Sequence, residues 1–346
     1  MTVISSSAKT NSATGGRAGS GRFVFGKLSA ILFSGNLLLY LIVVYFVIAA
    51  FIPALFSVGN FRSVLSNLLP LTIVSIAQGF VLITAGIDLS ITAVFACSSV
   101  IGGLIMTSNG GWLANRAWAV PAGLAAMILA GAGIGLINGL SITQFKMPPF
   151  VVTLATMTFF GGAAVWMTHS SNIYHLPAGL VGISKGEILQ VPYALILTAL
   201  LALSAHLVLS QTVIGRWLYS VGQNPQAALI SGIPVTRTIV FAYVVSGICA
   251  SCATVLLMGR LETASPIIGQ RLLLDTVAAP VIGGVSLFGG RGRISWIILG
   301  ALFVSLMDNG LNMVGLSYFV IMIAKGGLLL MAALLDVHRT RLASNT

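Results

Sequence analysis

The chain has 346 residues, of which 57% are hydrophobic and only 7% are charged, and its formal net charge is +11. Charged residues make up about a quarter of an ordinary soluble domain, so this composition excludes that class. The basic residues are scattered singly along the chain, without the dense patch that follows a phosphate backbone. We therefore expect no nucleic-acid partner.

Apolar runs recur from residue 36 to residue 336, separated by short polar stretches. A helix of about 20 apolar residues crosses a hydrocarbon core of about 30 Å and satisfies its own backbone groups. The sequence therefore predicts an all-α integral membrane protein with about ten transmembrane helices. We place them at residues 36–56, 64–84, 91–107, 118–140, 148–167, 191–210, 238–258, 273–288, 294–312 and 317–335.

The ends of the chain flank this transmembrane domain, which we assign to residues 35–336. Residues 1–34 are rich in Ser, Gly, Ala and Thr and lack a signal-peptide pattern, which predicts a disordered cytoplasmic tail. Residues 337–346 are predicted to form a cytoplasmic C-terminal tail. An even number of spans places both termini on one side, and with that side inside the cell the inner segments carry most of the Lys and Arg residues.

Chemistry that would make the chain an enzyme has no support in the sequence. It contains no G-x-x-x-x-G-K-[ST] phosphate loop, so we expect it not to hydrolyse ATP by itself. The four His and six acidic residues show no metal-ligand spacing, so no metal site is expected. Cys249 and Cys252 lie one helical turn apart in an apolar span, which favours small buried side chains over metal or redox chemistry.

The connection at about 211–236 predicts a short helix outside the membrane. Asn224 can cap it, Pro225 suits its first position, and Gly232 can end it in left-handed geometry. Its small side chains would allow close docking into a partner's groove, whereas the segment taken by itself would favour a capped surface helix without a partner. The candidate docking residues are Asn224, Pro225, Gln226, Ala227, Ala228, Ser231 and Gly232.

Ionisable residues inside apolar spans are further candidates, because a charge at mid-bilayer costs about 2.5–3.5 kcal/mol on insertion scales. Lys325 lies within the last span, and Asp308 lies in the preceding antiparallel span at a depth that predicts a structural ion pair rather than a proton relay. Asp88 is predicted to cap a helix at the inner boundary. Asn138 and Asn309 suit either sugar hydroxyls or hydrogen bonds between helices. These five residues are our candidates for the translocation path or gate.

Weak internal similarity predicts two related halves. The run Ile-Asn-Gly-Leu at 137–140 is echoed by Asp-Asn-Gly-Leu at 308–311, and the Gly-Gly pair at 102–103 recurs at 283–284. Two halves built from a duplicated unit are a common transporter plan.

Several separated motifs resemble, in the same order, the permease subunits of bacterial ABC importers for monosaccharides, the ribose-type branch. The likeness covers roughly residues 35–336. Two departures are Ala85, where the family usually has Gly before Gly86, and Pro280, where a small or β-branched residue is common. The motifs are Gly-Ile-Asp-Leu-Ser at 86–90, Asn-Gly-Leu at 138–140 with the run 146–154, Gly-Gln-Asn-Pro at 222–225, Ser-Gly-Ile at 231–233, and the runs 275–284 and 286–293.

The resemblance implies a permease in the bacterial inner membrane, surrounded by lipid, that pairs with a second copy or a homologue. It also implies two ATPase subunits inside the cell, which hold the ATP and Mg, and a periplasmic sugar-binding protein, while this chain itself binds no cofactor. The segment around residue 225 would be the coupling helix. Transport of a monosaccharide or related polyol would proceed by alternating access.

The residues themselves leave two alternatives open. A proton-coupled secondary sugar transporter would need titratable groups near mid-membrane, and a passive channel would need no docking helix. The sequence does not identify the sugar.

Overall fold

The computed structural model describes residues 42–43, 45–47 and 53–344. The predicted tail at 1–34 lies outside these residues, as does most of the predicted first span at 36–56. Besides α-helices and the loops between them, the described part contains a short β-hairpin, β1 Glu187–Ile188 paired antiparallel with β2 Val191–Pro192, and two 3₁₀ turns, Pro53–Phe56 and Gln270–Leu272. The helices are α1 Val58–Ile83, α2 Ile91–Met106, α3 Ala119–Gln144, α4 Pro149–Thr168, α5 Ala178–Lys185, α6 Tyr193–Gln211, α7 Val213–Gln223, α8 Pro225–Ile230, α9 Val235–Leu261, α10 Leu273–Gly283, α11 Ile294–Met313 and α12 Tyr318–Ser344.

Six of the described helices are long and apolar enough to cross a membrane: α1, α3, α4, α6, α9 and α11. Helix α2 and the apolar part of α12, Tyr318–Leu334, are shorter. Each predicted span from 64–84 onwards contains a helix, which confirms the all-α membrane class. The span predicted at 273–288 contains only the 11-residue α10, which ends where Gly284 adopts a left-handed conformation with φ 106°.

Helices α3 and α9 cross with their backbones in contact. A Cβ added at Gly131 would collide with the carbonyl of Gly247, and one added at Gly247 would collide with the carbonyl of Gly131. Further along, Gly139 lies against Val240, so the two helices run antiparallel. The small residues of α3 therefore serve close helix packing.

Helix α1 runs antiparallel to both α9 and α11. The Arg260 guanidinium donates to the Ser66 carbonyl at 3.1 Å near the start of α1, while Gly79 near its end packs against Ile297. The end of α1 and the starts of α9 and α11 therefore lie at one face of the bundle. We name this the α8 face, because α7 and α8 lie there, and we name the opposite face the hairpin face, after β1 and β2.

Two irregular segments interrupt the helices inside the bundle. Residues 84–90 join α1 to α2, and residues 262–272 join α9 to α10. The second segment folds back along α2, since Ala264 packs against Gly103 and Gly269 packs against Phe95. Non-helical backbone at membrane depth is tolerated where it is buried in protein or lines a cavity, and both segments lie against other helices.

Candidate functional site

Asp88 is the centre of a buried hydrogen-bond network near the α8 face, and the residue is 1% exposed. One carboxylate oxygen accepts from the Ser90 backbone N–H at 3.0 Å and from the Ser90 hydroxyl at 2.6 Å, and the other accepts from the Ser246 hydroxyl at 2.8 Å. The Asn138 amide donates to the Ser90 hydroxyl at 2.7 Å and accepts from the Thr156 hydroxyl at 2.8 Å. These five residues, the Asp88 cluster, join the α1–α2 connection to α3, α4 and α9.

The predicted role of Asp88 as a helix cap is wrong. Helix α2 begins at Ile91, and its N-cap residue, Ser90, makes no side-chain cap hydrogen bond. Asp88 lies two residues before that cap, in the irregular segment, and its second oxygen is held by Ser246 of α9. The reason is tertiary: the carboxylate satisfies groups from two separate elements instead of the first turn of its own helix.

The backbone of Asp88 is also satisfied within the bundle. In the amide orientation that suits both groups, the Gln78 side chain donates to the Asp88 carbonyl at 3.1 Å and accepts from the Asp88 N–H at 3.3 Å. Together with the side-chain bonds, this pairing removes the cost of placing irregular backbone among apolar helices.

A second cluster surrounds Lys325. Its ammonium nitrogen lies 2.6 Å from an oxygen of Asp308, as predicted, and also 2.8 and 2.9 Å from the two oxygens of Asp275. Sequence reasoning missed Asp275 as a partner, although it is one of only six acidic residues and lies in an apolar run. We name Asp275, Asp308 and Lys325 the Lys325 cluster; one ammonium faces two carboxylates, on three different helices.

Asn309 pairs with another amide rather than standing alone. Its side chain accepts from the Asn60 amide at 3.1 Å and donates to the Asn60 oxygen at 2.7 Å, and the Tyr45 hydroxyl also donates to it at 3.3 Å. Of the two alternatives left open for Asn138 and Asn309, the structure shows hydrogen bonds between elements for both. The antiparallel helix directions place Asn138 near the α8 face and Asn309 near the hairpin face.

The five candidate path residues thus fall into three separate groups, and none of them lines the groove between α2 and α4. This groove has a volume of about 490 Å³. One side is closed by Pro266 and Gln270 of the segment that joins α9 to α10, and by Leu273 at the start of α10. Its wall is mostly small or apolar, and Thr92, Thr158 and Gln270 supply hydroxyl and amide groups. The sequence carried a signal for it, because α2 and α10 border the groove and are short, and interrupted helices of this kind mark binding sites in transporters.

The short helix predicted near residue 225 is present as α8. The Asn224 side chain accepts from the backbone N–H groups of Gln226 and Ala227, both at 3.0 Å, and Pro225 occupies the first position. Gly232 follows with φ +80°. The local capping signals therefore predicted this element correctly.

The predicted docking surface of α8 needs correction. Ala228 is only 4% exposed, because this face of the helix packs against the chain itself. Leu229 and Ile230 point outwards instead, with 65% and 89% of their surface exposed. Ala227 and Ser231 are exposed beside them.

Helix α7 connects α8 to the end of α1. Gly222 lies so close to the Ile83 carbonyl and to Gly290 that an added Cβ would collide with both, and the Gly290 N–H donates to the Ile83 carbonyl at 2.8 Å. The Tyr219 hydroxyl donates to the Gly292 carbonyl at 2.8 Å. Burial raises the pKa of this phenol, and the charge of nearby Arg293 opposes the rise. A displacement of α8 would therefore be transmitted directly to the segment that carries Asp88.

Comparisons with known proteins agree with this architecture. Residues 60–334 match the family described as the branched-chain amino acid transport system / permease component. The chain is 38% identical over 271 residues to the ribose import permease protein RbsC of Bacillus subtilis, covering 76% of this chain and 80% of that one. It is 32% identical over 321 residues to RbsC of Escherichia coli K12, covering 92% and 97%. It is 30% identical over 267 residues to the D-allose transport system permease protein AlsC of the same organism, covering 76% and 79%. No solved structure matches the chain.

Proposed function

The chain belongs to the branched-chain amino acid transport system / permease component family, and we propose that it is the membrane subunit of an ABC importer for a monosaccharide or a related polyol. It is a transport component rather than an enzyme. The sugar class is supported by its relatives, which include two ribose import permeases and an allose permease.

The observation that carries the mechanism is α8, an exposed and capped helix that is linked to the transmembrane helices. Leu229 and Ile230 place two large apolar side chains in water, where a monomer gains nothing from them. A groove on an ATPase subunit that binds ATP and Mg would bury them. Because Gly222 of α7 contacts Ile83, movement of the ATPase would displace the α1–α2 break and shift the bundle between two openings.

We place the sugar path along the groove between α2 and α4. Its hydroxyl and amide groups, Thr92, Thr158 and Gln270, are neutral donors and acceptors suited to sugar hydroxyls. These hydroxyl and amide groups would be costly to expose to lipid on an outer surface, so we propose that a second copy or a homologue covers the groove. The Asp88 and Lys325 clusters then act as structural supports beside the path, because their polar groups already bond to one another.

The chain arrangement supports two halves and ten spans. Helices α1, α2 and α3 form a long helix, a break, a short helix and a long helix, and α9, α10 and α11 repeat that order. The echoed Asn138 and Asn309 lie at opposite faces, as expected for halves of inverted topology. With residues 36–56 as the first span, both termini lie at the α8 face, which we place in the cytoplasm of a bacterial inner membrane, and a periplasmic sugar-binding protein would then dock at the hairpin face.

The test is reconstitution in vesicles with radiolabelled ribose and allose. The purified chain alone should neither hydrolyse ATP nor accumulate either sugar. Addition of its ATPase and binding protein should produce ATP-dependent uptake of one of the two sugars or of a related sugar. Uptake driven by a proton gradient with the chain alone would overturn the proposal in favour of a secondary transporter, which nothing in the described residues favours.

A matched pair of variants tests the docking surface. Ile230→Glu should insert normally but lose association with the ATPase, because it places a charge in an apolar contact. Leu189→Glu is the control, since Leu189 is 93% exposed at the hairpin face. Normal ATPase association of the Ile230→Glu variant would show that α8 is only a solvated loop.

A further inference from the structure

A cavity of about 780 Å³ lies at the α8 face, away from the groove and from the exposed side of α8. It is bounded by the end of α6, by the loop that joins α10 to α11, and by the start of α11. The charged side chains that line it are Arg291, Arg293 and Asp336. His206 and Ser295 add further polar groups.

The lining carries an excess of positive charge, with two arginines and one carboxylate. One Asp336 oxygen accepts from the Ser286 hydroxyl at 3.1 Å and from the Leu287 N–H at 2.9 Å, which fastens the loop to α12. Arg291 and Arg293 are both exposed towards water. The cavity therefore presents two guanidinium groups against one carboxylate that is already engaged.

The start of α11 adds to this positive potential. The helix begins at Ile294, and its N-cap residue, Arg293, makes no side-chain cap hydrogen bond. The first N–H groups of a helix have no partner within the helix and carry the positive end of its dipole. Guanidinium groups beside such an end suit a phosphate, because they donate charge-assisted hydrogen bonds to its oxygens.

The cavity lies at the level where phospholipid headgroups meet the protein. The Arg293 guanidinium stands 5.2 Å from the centre of the Trp296 ring, and Trp is enriched at membrane interfaces. From His206, an exposed apolar ridge runs along α6 towards the hairpin face, formed by Leu200, Leu203 and Leu207. A ligand with an anionic head and an apolar chain would match both features at once.

We propose that this cavity binds an anionic phospholipid of the cytoplasmic leaflet, with its phosphate between Arg291 and Arg293 and an acyl chain along the α6 ridge. Basic pockets between helices on the cytoplasmic side suit such headgroups. The bound lipid would hold the α10–α11 loop, which contacts α7 through Gly290 and Gly292. The site in the cytoplasmic leaflet rests on the proposed orientation, but a test in detergent has no sidedness and does not depend on it.

The experiment measures the melting temperature of the full chain in detergent with phosphatidylglycerol, with phosphatidylcholine, or with inorganic phosphate. Phosphatidylglycerol should raise it by several degrees more than phosphatidylcholine, because a ligand that binds only the folded state stabilises it. Arg291→Gln with Arg293→Gln should lose this increment. Arg237→Gln, an exposed Arg at the same face outside the cavity, should keep it.

Each other outcome overturns the proposal. An equal increment with inorganic phosphate would make the cavity a phosphate site rather than a lipid site, and equal losses in Arg237→Gln would show nonspecific attraction. If the double variant fails to fold, Ser295→Glu takes its place, since it adds a negative charge at an exposed helix start and should also lose the increment. If the Arg291→Gln with Arg293→Gln variant keeps the increase in melting temperature but no longer associates with the ATPase, the cavity is a protein-docking surface.

Discussion

Asp275 and Lys325 are 50 positions apart in the chain, yet an oxygen of Asp275 accepts a hydrogen bond from the Lys325 ammonium at 2.9 Å. The same nitrogen also contacts Asp308. The side chain of Lys325 is 13% exposed and that of Asp275 is 5% exposed, so the charges are largely withdrawn from water. The single ammonium therefore ties α12 to both α10 and α11.

Replacement of Lys325 should lower the stability of the folded protein. Lys325→Met leaves two carboxylates without a cation and should destabilise the protein by about 3–5 kcal/mol. Adding Asp275→Asn or Asp308→Asn should recover part of the loss, so that the double-mutant cycles are not additive. Thermal unfolding in detergent measures this. Lys185→Met is the control, because the Lys185–Glu262 pair is exposed and should contribute less than about 1 kcal/mol.

The Asp88 cluster predicts a comparable asymmetry between a buried and an exposed hydroxyl. Ser246→Ala removes the donor to one oxygen of a buried carboxylate and should cost about 1–3 kcal/mol. Ser204→Ala on α6, where the hydroxyl is exposed, should change stability by less than about 0.5 kcal/mol. Equal unfolding temperatures for the two variants would mean that Ser246 does not hold Asp88.

The backbone contact between α3 and α9 can be tested within one helix. Gly131→Ala should destabilise the protein by about 1–3 kcal/mol, because the new methyl group meets the Gly247 carbonyl. Gly133→Ala, two residues on, meets nothing within 4 Å and should be neutral or stabilising. A similar loss in both variants, measured by thermal unfolding, would contradict the close crossing.

The proposed path makes a prediction about transport rather than stability. Thr158→Trp should fill the groove and abolish sugar uptake by the assembled importer, with its unfolding temperature unchanged. Leu129→Trp on α3, where the side chain is 70% exposed outside the groove, should leave uptake intact. Full uptake by the Thr158→Trp variant would place the path elsewhere.

Ala85 is a site where a glycine should improve the fold. Its φ of 60° is left-handed, which costs a residue with a Cβ about 1–2 kcal/mol. Ala85→Gly removes that cost, but the glycine costs about 0.4–1 kcal/mol of unfolded-state entropy, so stability should rise by up to about 1.5 kcal/mol. Ala125→Gly, within α3, should instead lower stability by about 0.5–1 kcal/mol. A destabilised Ala85→Gly variant would show that the methyl group contributes packing that outweighs the strain.

The elements that could be predicted from sequence are those whose signals are local. Hydropathy over about 20 residues predicts a span, and the Asn224-Pro225 pair with Gly232 predicts α8. The Lys325–Asp308 pair could also be predicted, because consecutive antiparallel spans share a depth scale.

The remaining features depend on how separate elements meet. Asp275 reaches Lys325 only because residues 262–272 fold back into the bundle. The hydropathy of the sequence does not predict where such a segment runs. Asp88 does not cap α2, because the helix begins only at Ile91 and the Ser246 hydroxyl of α9 donates to the Asp88 carboxylate. The buried face of α8 could not be predicted, since six residues are too few to show a helical pattern, and Ala228 is buried by the chain around it.

The glycine crossing of α3 and α9 supports the bundle through residues that are separate from those of the proposed sugar path. Because Gly131 and Gly247 meet through their carbonyls, the spacing of these helices is fixed by main chain and not by side-chain choice. Thr92, Thr158 and Gln270 lie in other elements and take no part in that contact. On the proposed path, exchange of groove side chains would therefore alter the sugar that is accepted without disturbing the glycine contact that holds the bundle together.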